Sequence, residues 1–292
     1  MTPLISVLLP TVRPWPEVSS SLASLLSQAA APPFEVLLLD GHGETLAAPP
    51  TDPRVHWLRL PGSDTFSLRA AGVAAARGAI IAVSEDHCIA PADWLASIDA
   101  AHRTDPALAV VGTTVNHPDS ATSAMDRANF LLTFAGQNQN RLDLGVRRLP
   151  VPTNLSFKRA ALPAARLAPG ELEYQWLAKL SRRSALGVSP LVVLHHRQCW
   201  GRAAPRVHLA SGRSFGASIR QSRRRDQLKW WLALPTLPLR LARLVVPDLL
   251  QGAAGAGPSP KDALCVATLI AANVCGQALG AAIGPGSSRR RL

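Results

Sequence analysis

The chain has 292 residues, of which 47% are hydrophobic and 17% charged, enough length for one large domain or two small ones with a real core and too little charge for wholesale disorder. Its four cysteines (Cys88, Cys199, Cys265, Cys275) show no C-x-x-C spacing, which argues against a zinc ribbon or a disulfide scaffold and suits a reducing compartment. The net charge of +12 is uneven: residues 1–100 carry 5 basic and 10 acidic side chains, 101–200 carry 12 and 6, and 201–292 carry 14 and 3.

The apolar run Leu4–Leu9 is too short for a secretory signal and has no basic residues before it; it reads as a buried strand ending at Pro10. Val18–Gln28 has helical spacing in Val18, Leu22, Leu25 and Leu26. Phe34–Leu39 is a second buried strand closed by Asp40-Gly41, and Arg54–Leu60 a short third. Ser67–Ala76 is an alanine-rich helix stopped by Gly78, and Ala79–Ser84 a fourth strand running into Glu85-Asp86. Trp94–His102 is helical. This alternation predicts an α/β layered fold with a mostly parallel sheet. Farther along, Ala107–Thr114 reads as a strand, Ser123–Phe134 as a helix and Gly136–Leu149 as a polar loop. Val151–Phe157 then Lys158–Ala165 reads as strand and helix, Glu171–Arg183 as a helix with a basic end, and Leu191–His195 as a strand.

The last third changes character. Arg220–Lys229 holds five basic residues against Asp226. Trp230–Leu250 is apolar but interrupted by Pro235, Pro238 and Pro247 and carries Arg240 and Arg243, a poor spanning helix and a fair interfacial one. Gln251–Pro260 is a Gly/Ala/Pro/Ser linker. Ala263–Gly284 has 22 residues without a charge, long enough to span a bilayer, yet it is alanine-rich and contains Asn273 and Gln277. Packing on the domain or on another copy is the alternative. Arginines beside the most apolar stretches suit a membrane surface better than nucleic acid, for which no recognition motif is present.

Phosphate-loop, dinucleotide and H-E-x-x-H signatures are missing, and a serine hydrolase is disfavoured. In open α/β sheets ligands gather at the carboxyl ends of strands. Here those ends carry Pro10-Thr11, Asp40-Gly41 and Glu85-Asp86-His87. Two carboxylates and an imidazole in succession offer donors to Mg²⁺ or Mn²⁺; the bland alternative is a solvated acidic turn. The pair His195-His196 follows a strand and reads first as a structural pair, with reach to the site as the alternative.

Residues 4–102 resemble family-2 glycosyltransferases of the GT-A (Rossmann-like) fold. The matching stretches are Ile5–Thr11 (ISVLLPT), Phe34–Gly41 (FEVLLLDG), Phe66–Cys88 and Pro91–Leu95 (PADWL), with a weaker match through Pro152–Leu162 and Gly170–Leu180. The resemblance implies that Pro10 and Thr11 line a nucleoside pocket and that Asp40 bonds the base or ribose. It places Arg69 near the donor phosphates, and sets Asp86, with Glu85 or His87, in the place of the acidic metal motif. Glu171 or Glu173 becomes the base that deprotonates the acceptor hydroxyl. Such enzymes invert the anomeric centre, with a divalent cation (Mn or Mg) assisting loss of the nucleoside diphosphate. The chain departs from the family pattern in reading Glu-Asp-His where aspartates are usual, His42 where a second aspartate often follows the second strand, and Glu171-Leu172-Glu173 near the base position. Gln227-Leu228-Lys229-Trp230 only approaches the processive Gln-x-x-Arg-Trp motif, which favours single-sugar transfer.

The expected organisation is a GT-A domain over 1–219 (nucleotide-sugar half 1–102, acceptor half 103–219), basic interfacial helices over 220–250, the linker 251–260 and a hydrophobic helix with a basic tail over 261–292. The expected partners are a nucleotide-diphospho-sugar, a lipid-linked or glycan acceptor and a membrane surface, with no nucleic acid. The expected location is the cytoplasmic face of the inner or plasma membrane. The competing expectation is a non-catalytic scaffold of the same fold in polysaccharide assembly.

Overall fold

The computed structural model describes residues 3–15, 17–42, 50–120, 123–134, 151–163, 166–182, 186–197, 200–251 and 259–288. The polar loop expected over 136–149, most of the linker and Arg289–Arg291 lie outside the described residues. The strands are β1 (Ile5–Thr11), β2 (Phe34–Asp40), β3 (Val55–Arg59), β4 (Ile80–Val83), β5 (Cys88–Ile89), β6 (Ala109–Asn116), β7 (Leu155–Lys158) and β8 (Leu186–His196). The helices are α1 (Ser19–Leu26), α2 (Thr65–Ala75), α3 (Trp94–Thr104), α4 (Ala124–Phe134), α5 (Leu177–Arg182), α6 (Ala204–Arg220), α7 (Arg224–Ala233), α8 (Leu237–Gln251) and α9 (Pro260–Ile283). The chain divides into two compact units, 1–118 with 137–197, and 119–136 with 198–292.

The first unit is built on one eight-stranded sheet of order β3-β2-β1-β4-β7-β6-β8-β5. β3, β2, β1 and β4 run parallel, while β7 pairs antiparallel with both β4 and β6. Alternate residues of a strand face opposite sides, so a strand buried on both faces must be apolar throughout. β1 and β2 meet that demand except at Ser6 and Glu35, which are buried and compensated by a bond from the Ser6 hydroxyl to Glu35 Oε1 at 2.6 Å. Ile5, Val7, Leu9, Val36 and Leu38 pack with Leu22 and Leu25 of α1 and with Trp94, Leu95 and Ile98 of α3. Leu8, Leu37 and Leu39 pack on the other side with Leu68 and Val73 of α2 and with Leu172, Trp176 and Leu177. The sheet is therefore the middle layer of three.

The order of the strands switches at β1, which lies between β2 and β4, and in open α/β sheets ligands gather at the carboxyl edge beside such a switch. β8 is longer than its expected Leu191–His195 core. Its pairing with β6 jumps from Ser189 to Val193, at the place where Pro190 has no N–H to donate. The helix expected over Lys158–Ala165 is, among the described residues, a single 3₁₀ turn (Arg159–Ala161). Pro163 holds Leu162 extended, and the Arg159 guanidinium is tied to the carbonyls of Gly78 and Ala76.

The second unit contains α4 and α6–α9. α6 was not anticipated, since glycine and serine depress its intrinsic helicity. Packing explains its presence. A Cβ on Gly212, Gly216, Gly276 or Gly280 would come within about 2 Å of a backbone oxygen of the facing helix, namely Asn273, Gln277, Leu209 and Arg213 respectively. Only glycine permits α6 and α9 to lie this close. α6 also supplies Arg213 to the carbonyl of Gly284 and Arg220 to that of Ala282, both bonds 2.9 Å long, which satisfies the C-terminal end of α9. At the other end Ser259 and Asp262 form a reciprocal cap, and Asp262 also accepts from Arg127 of α4. By length and composition α9 is apolar enough to cross a membrane. Gly212-Arg213-Ser214-Phe215-Gly216 spells G-x-S-x-G, but it lies inside α6 with Ser214 fully buried against Ser288, so it is no strand-to-helix nucleophile turn.

His102 of α3 is buried beneath the sheet, 2.9 Å from the Ser156 hydroxyl. Burial, with Lys158 adding to it, pushes its pKa down to about 4 against the opposing pull of Asp105 and Asp99. The folded chain therefore keeps His102 neutral where the unfolded chain takes up a proton. Its contribution is present above the ordinary histidine pKa and is lost as pH falls towards 4. His102→Gln should remove about 2 kcal/mol of the stability difference between pH 7 and pH 4.5, read from urea midpoints at the two pH values. An unchanged pH dependence in the variant would refute the assignment.

Candidate functional site

In-register parallel pairing sets Thr11 directly beside Asp40, and the β1–β4 ladder ends at Leu8–Val83, so the chain after Val83 enters the same edge. Each of these strand ends is polar. The Thr11 hydroxyl donates to Asp86 Oδ2 at 2.8 Å, a contact between residues 75 apart in sequence. Pro10, one residue before it, is paired with Leu39.

Asp40 is buried and held from two sides. Its Oδ1 accepts from the backbone N–H of His42 at 2.9 Å, and its Oδ2 from the Trp57 indole N–H at 3.3 Å. Gly41 is required beside it, because a Cβ there would meet the Ser63 carbonyl at 2.5 Å. The polar end of β2 is thus preorganised by its neighbour β3 and by the turn after it.

Arg69 projects from α2, whose N-terminus is capped by Asp64 accepting from Ser67 N–H at 2.8 Å. The Arg69 guanidinium lies between two carboxylates, 2.8 Å from Glu85 Oε1 and 3.3 Å from Glu173 Oε1. All three side chains are more than four-fifths buried. Burial alone would push Glu85 up. The bond to His87, the charges of His87 and Arg69 and the bond to Thr153 outweigh it and hold the carboxyl well below its ordinary range. At Glu173 burial wins over Arg69, and the pKa is raised. Two carboxylates on one arginine are thereby driven in opposite directions, a pattern found where acid–base roles are divided. Glu173 Oε2 is buried with no hydrogen-bond partner among the described residues.

Glu173 belongs to a π-helical segment (Glu171–Trp176) that leads into α5, so the helix expected over Glu171–Arg183 opens with a wider turn. Gly170 before it has φ of +84°, a conformation that favours glycine. Leu172 and Trp176 turn into the core, and Glu173 turns with them to Arg69. Glu171 does not join this group: its Oε2 accepts from the backbone N–H of Ala168 at 3.1 Å, tying down its own segment.

The turn between β4 and β5 carries the remaining candidates. Asp86 is engaged by Thr11, by Arg13 Nε at 3.5 Å and by His87 Nδ1 at 2.9 Å. The other nitrogen of His87 lies 3.1 Å from Glu85 Oε2. β5 then pairs antiparallel with the end of β8, opposing Cys88 to His196. Among the described residues, Glu85, His87 and His196 each offer a ligand atom within 4.8 Å of the others. His196 is buried, and desolvation, helped by His87, pushes its pKa down to about 3, so the ring is neutral. His195 points to the other side of the strand and packs edge-on to His117 at 6.0 Å. The geometry thus brings Thr11, Asp40, Arg69, Glu85, Asp86, His87 and Glu173 to one edge of the sheet and adds His196. Its signal in the sequence was only a histidine at a strand end.

The model of the family described as Glycosyl transferase family 2 matches residues 6–164. No curated protein sequence matches the chain. Among solved structures, the mannosyltransferase PcManGT from Pyrobaculum calidifontis, in complex with GDP-Man and Mn²⁺, superposes with a TM-score of 0.53 at 15% identity, over 96% of this chain and 87% of that one. A mycobacterial protein does so with 0.50 at 19% identity over 74% of each chain. The 1–349 fragment of S. aureus TarS gives 0.46 at 14% identity, over 99% of this chain and 92% of that fragment. At such identities the first two likenesses speak for the α/β fold.

Arg69 pairs with both Glu85 and Glu173, and removing one member of a buried ion group leaves the others uncompensated. Arg69→Met is expected to cost about 3 kcal/mol of unfolding free energy in denaturant titrations. Adding Glu173→Gln to that variant should restore part of the loss. A neutral Arg69→Met, or a double variant weaker than the single one, would contradict this account of the charge balance.

Proposed function

Since the chain belongs to glycosyl transferase family 2 and is a nucleotide-sugar glycosyltransferase, we propose that it moves one sugar from a nucleoside-diphosphate sugar to an acceptor hydroxyl by direct displacement, inverting the anomeric carbon. The observation that carries this reading is the convergence at one sheet edge of Thr11 and Asp40 on one side and of Arg69, Glu85, His87 and Glu173 on the other. The neighbour from Pyrobaculum calidifontis was solved with GDP-Man and Mn²⁺, in keeping with a donor of this class.

In this reading Pro10 and Thr11 line the nucleoside pocket, and Asp40 accepts from an N–H or O–H of the base or ribose. The turn after β4 faces the diphosphate. A carboxylate and imidazoles fit a divalent cation, and Glu85 and His87 would hold it; when bound, such a cation neutralises the leaving diphosphate. Arg69 supplies positive charge beside the same oxygens and, after His87, helps to keep Glu85 ionised. Glu173 is the base. Its free oxygen is buried, and its raised pKa makes it a better proton acceptor than an ordinary carboxylate. Glu171 serves as a local backbone anchor instead.

The acceptor in this reading is lipid-linked or an envelope glycan, reached from the cytoplasmic face of a membrane. Two features of the second unit support it. Leu228, Trp231 and Leu232 on α7 are exposed next to exposed Arg223, Arg224, Arg225 and Lys229, a composition suited to anionic headgroups. Leu239 and Leu250 extend the exposed apolar surface along α8.

The full chain, incubated with a panel of nucleoside-diphosphate sugars, Mn²⁺ and membrane lipid extract, should release nucleoside diphosphate from one donor class. Glu173→Gln should lower kcat by about 10²- to 10⁴-fold with little change in donor KM, and Glu171→Gln should stay within about twofold of the parent. Full turnover by Glu173→Gln would remove it as the base, and release from no donor would defeat the proposal.

A further inference from the structure

We propose that α9, although apolar enough to cross a bilayer, stays on one side of it as part of a monotopic unit, and that this unit rests on anionic lipid through the exposed faces of α7 and α8. The inference rests on the membrane location in the functional reading above and adds how the chain meets that membrane. It makes no use of the chemistry of the first unit.

α6 holds α9 back. Gly212 and Gly216 close on the carbonyls of Asn273 and Gln277, and Gly276 and Gly280 on those of Leu209 and Arg213, so the two helices run parallel in close contact. The two amides in the second half of α9 serve this contact. Asn273 Nδ2 donates to the His208 carbonyl at 3.3 Å, and Gln277 Nε2 to Asn273 Oδ1 at 2.8 Å. The His208 ring in turn lies 2.9 Å from Asn129 Oδ1 on α4. α9 can enter hydrocarbon alone only by giving up its bonds to α6, where no water replaces them. Entering together is no easier, because α6 would carry Arg206, Arg213 and Arg220 with it. The one helix of sufficient length is therefore tied to a partner that a bilayer interior rejects.

The lipid-facing surface lies elsewhere. α7 has no buried residue. Its Leu228 is 61% exposed and its Leu232 73%, and Trp231 is exposed beside Trp230, with ring centres 5.1 Å apart. α8 is two-sided. Leu241 and Val245 pack with Val266, Leu269 and Ile270 of α9, whereas Leu239, Arg243, Val246 and Leu250 follow helical spacing along an exposed stripe. Arg223, Arg224, Arg225, Lys229 and Arg240 are exposed as well. Residues 201–292 carry 14 basic side chains against 3 acidic ones, and one of those three, Asp262, is held by Arg127 and Ser259. The surface thus combines large apolar side chains with an excess of cations.

Charge then selects the occupant. A second copy packed two-fold on this face would set the same arginines of both chains against each other. A polyanion in water would satisfy the arginines and leave Leu228, Leu232 and Leu250 in water. The headgroup zone of an anionic leaflet accepts both kinds of side chain at once, cations at the lipid phosphates and leucines at the acyl boundary, with tryptophan between them.

The test uses the full chain. Flotation at low salt should recover it with phosphatidylglycerol vesicles, and phosphatidylcholine vesicles should bind it at least tenfold less, on the order expected when several cations meet an anionic surface. Binding to the anionic vesicles should fall at least tenfold in the triple variant Leu228→Ser, Trp231→Ser, Leu232→Ser, and likewise in the triple variant Arg223→Gln, Arg224→Gln, Arg225→Gln. Circular dichroism checks that each variant folds, and should the apolar triple not fold, the arginine triple decides. In a bacterial host, green fluorescent protein fused to either end of the chain should fluoresce, and alkaline phosphatase fused to either end should stay inactive, because both ends lie on one side of the membrane. Equal binding to the two kinds of vesicle, unchanged binding in a folded triple variant, phosphatase activity at the C-terminal end, or a dimer that the variants dissociate with no vesicle binding would each overturn the proposal. None of these readouts uses a sugar donor. A chain that floats but releases no nucleotide would refute the transferase reading and keep the surface, and one that transfers sugar yet floats with neither vesicle would do the reverse.

Discussion

The in-register parallel pairing of β1 with β2 and β4 is the constraint on which the rest depends. Parallel strands end on the same edge, and a one-residue slip would exchange the two faces of every side chain in the strand. The apolar residues of β1 and β2 on both faces lock that register, because α1 and α3 cover one side and α2 with α5 the other. Once the register is fixed, Thr11 must lie beside Asp40, and the residues after Val83 must emerge at the same edge. The site is a consequence of hydrophobic packing some distance from it.

Charge at that edge is kept in balance by hydrogen bonding. Glu85, Glu173 and Asp86 are all largely buried, where an uncompensated carboxylate is costly. Arg69 compensates the first two, and Thr11 with Arg13 the third. The balance is unequal, since Glu85 is held ionised while Glu173 is pushed towards its neutral form. The inequality distinguishes an electrostatic residue from a proton acceptor among chemically identical side chains.

Much of this was legible in the sequence where local pattern and tertiary role coincide. The apolar runs of β1 and β2 and the alanine-rich α2 are read from local pattern, and Asp40 and Glu85–His87 from their places at strand ends. What escaped depends on contacts distant in sequence. β5 is only two residues long and exists because β8 is there to pair with it. His196 gains its place through the same pairing. α6 has a poor helical sequence and is held by close packing on α9 at four glycines, two on each helix. Glu171 and Glu173 could not be ranked from spacing, because the π-helical turn rather than an α-helical one decides which carboxylate meets Arg69.

In the proposed reaction the polar carboxyl edge of the sheet receives a nucleoside diphosphate. The most direct measurement is difference electron density from crystals of the full chain grown with Mn²⁺ and saturating UDP or GDP. An ordered nucleotide is expected, with its base or ribose against Asp40 and its phosphates at the Glu85–His87 turn. Nucleotide bound elsewhere, with this edge empty, would contradict it.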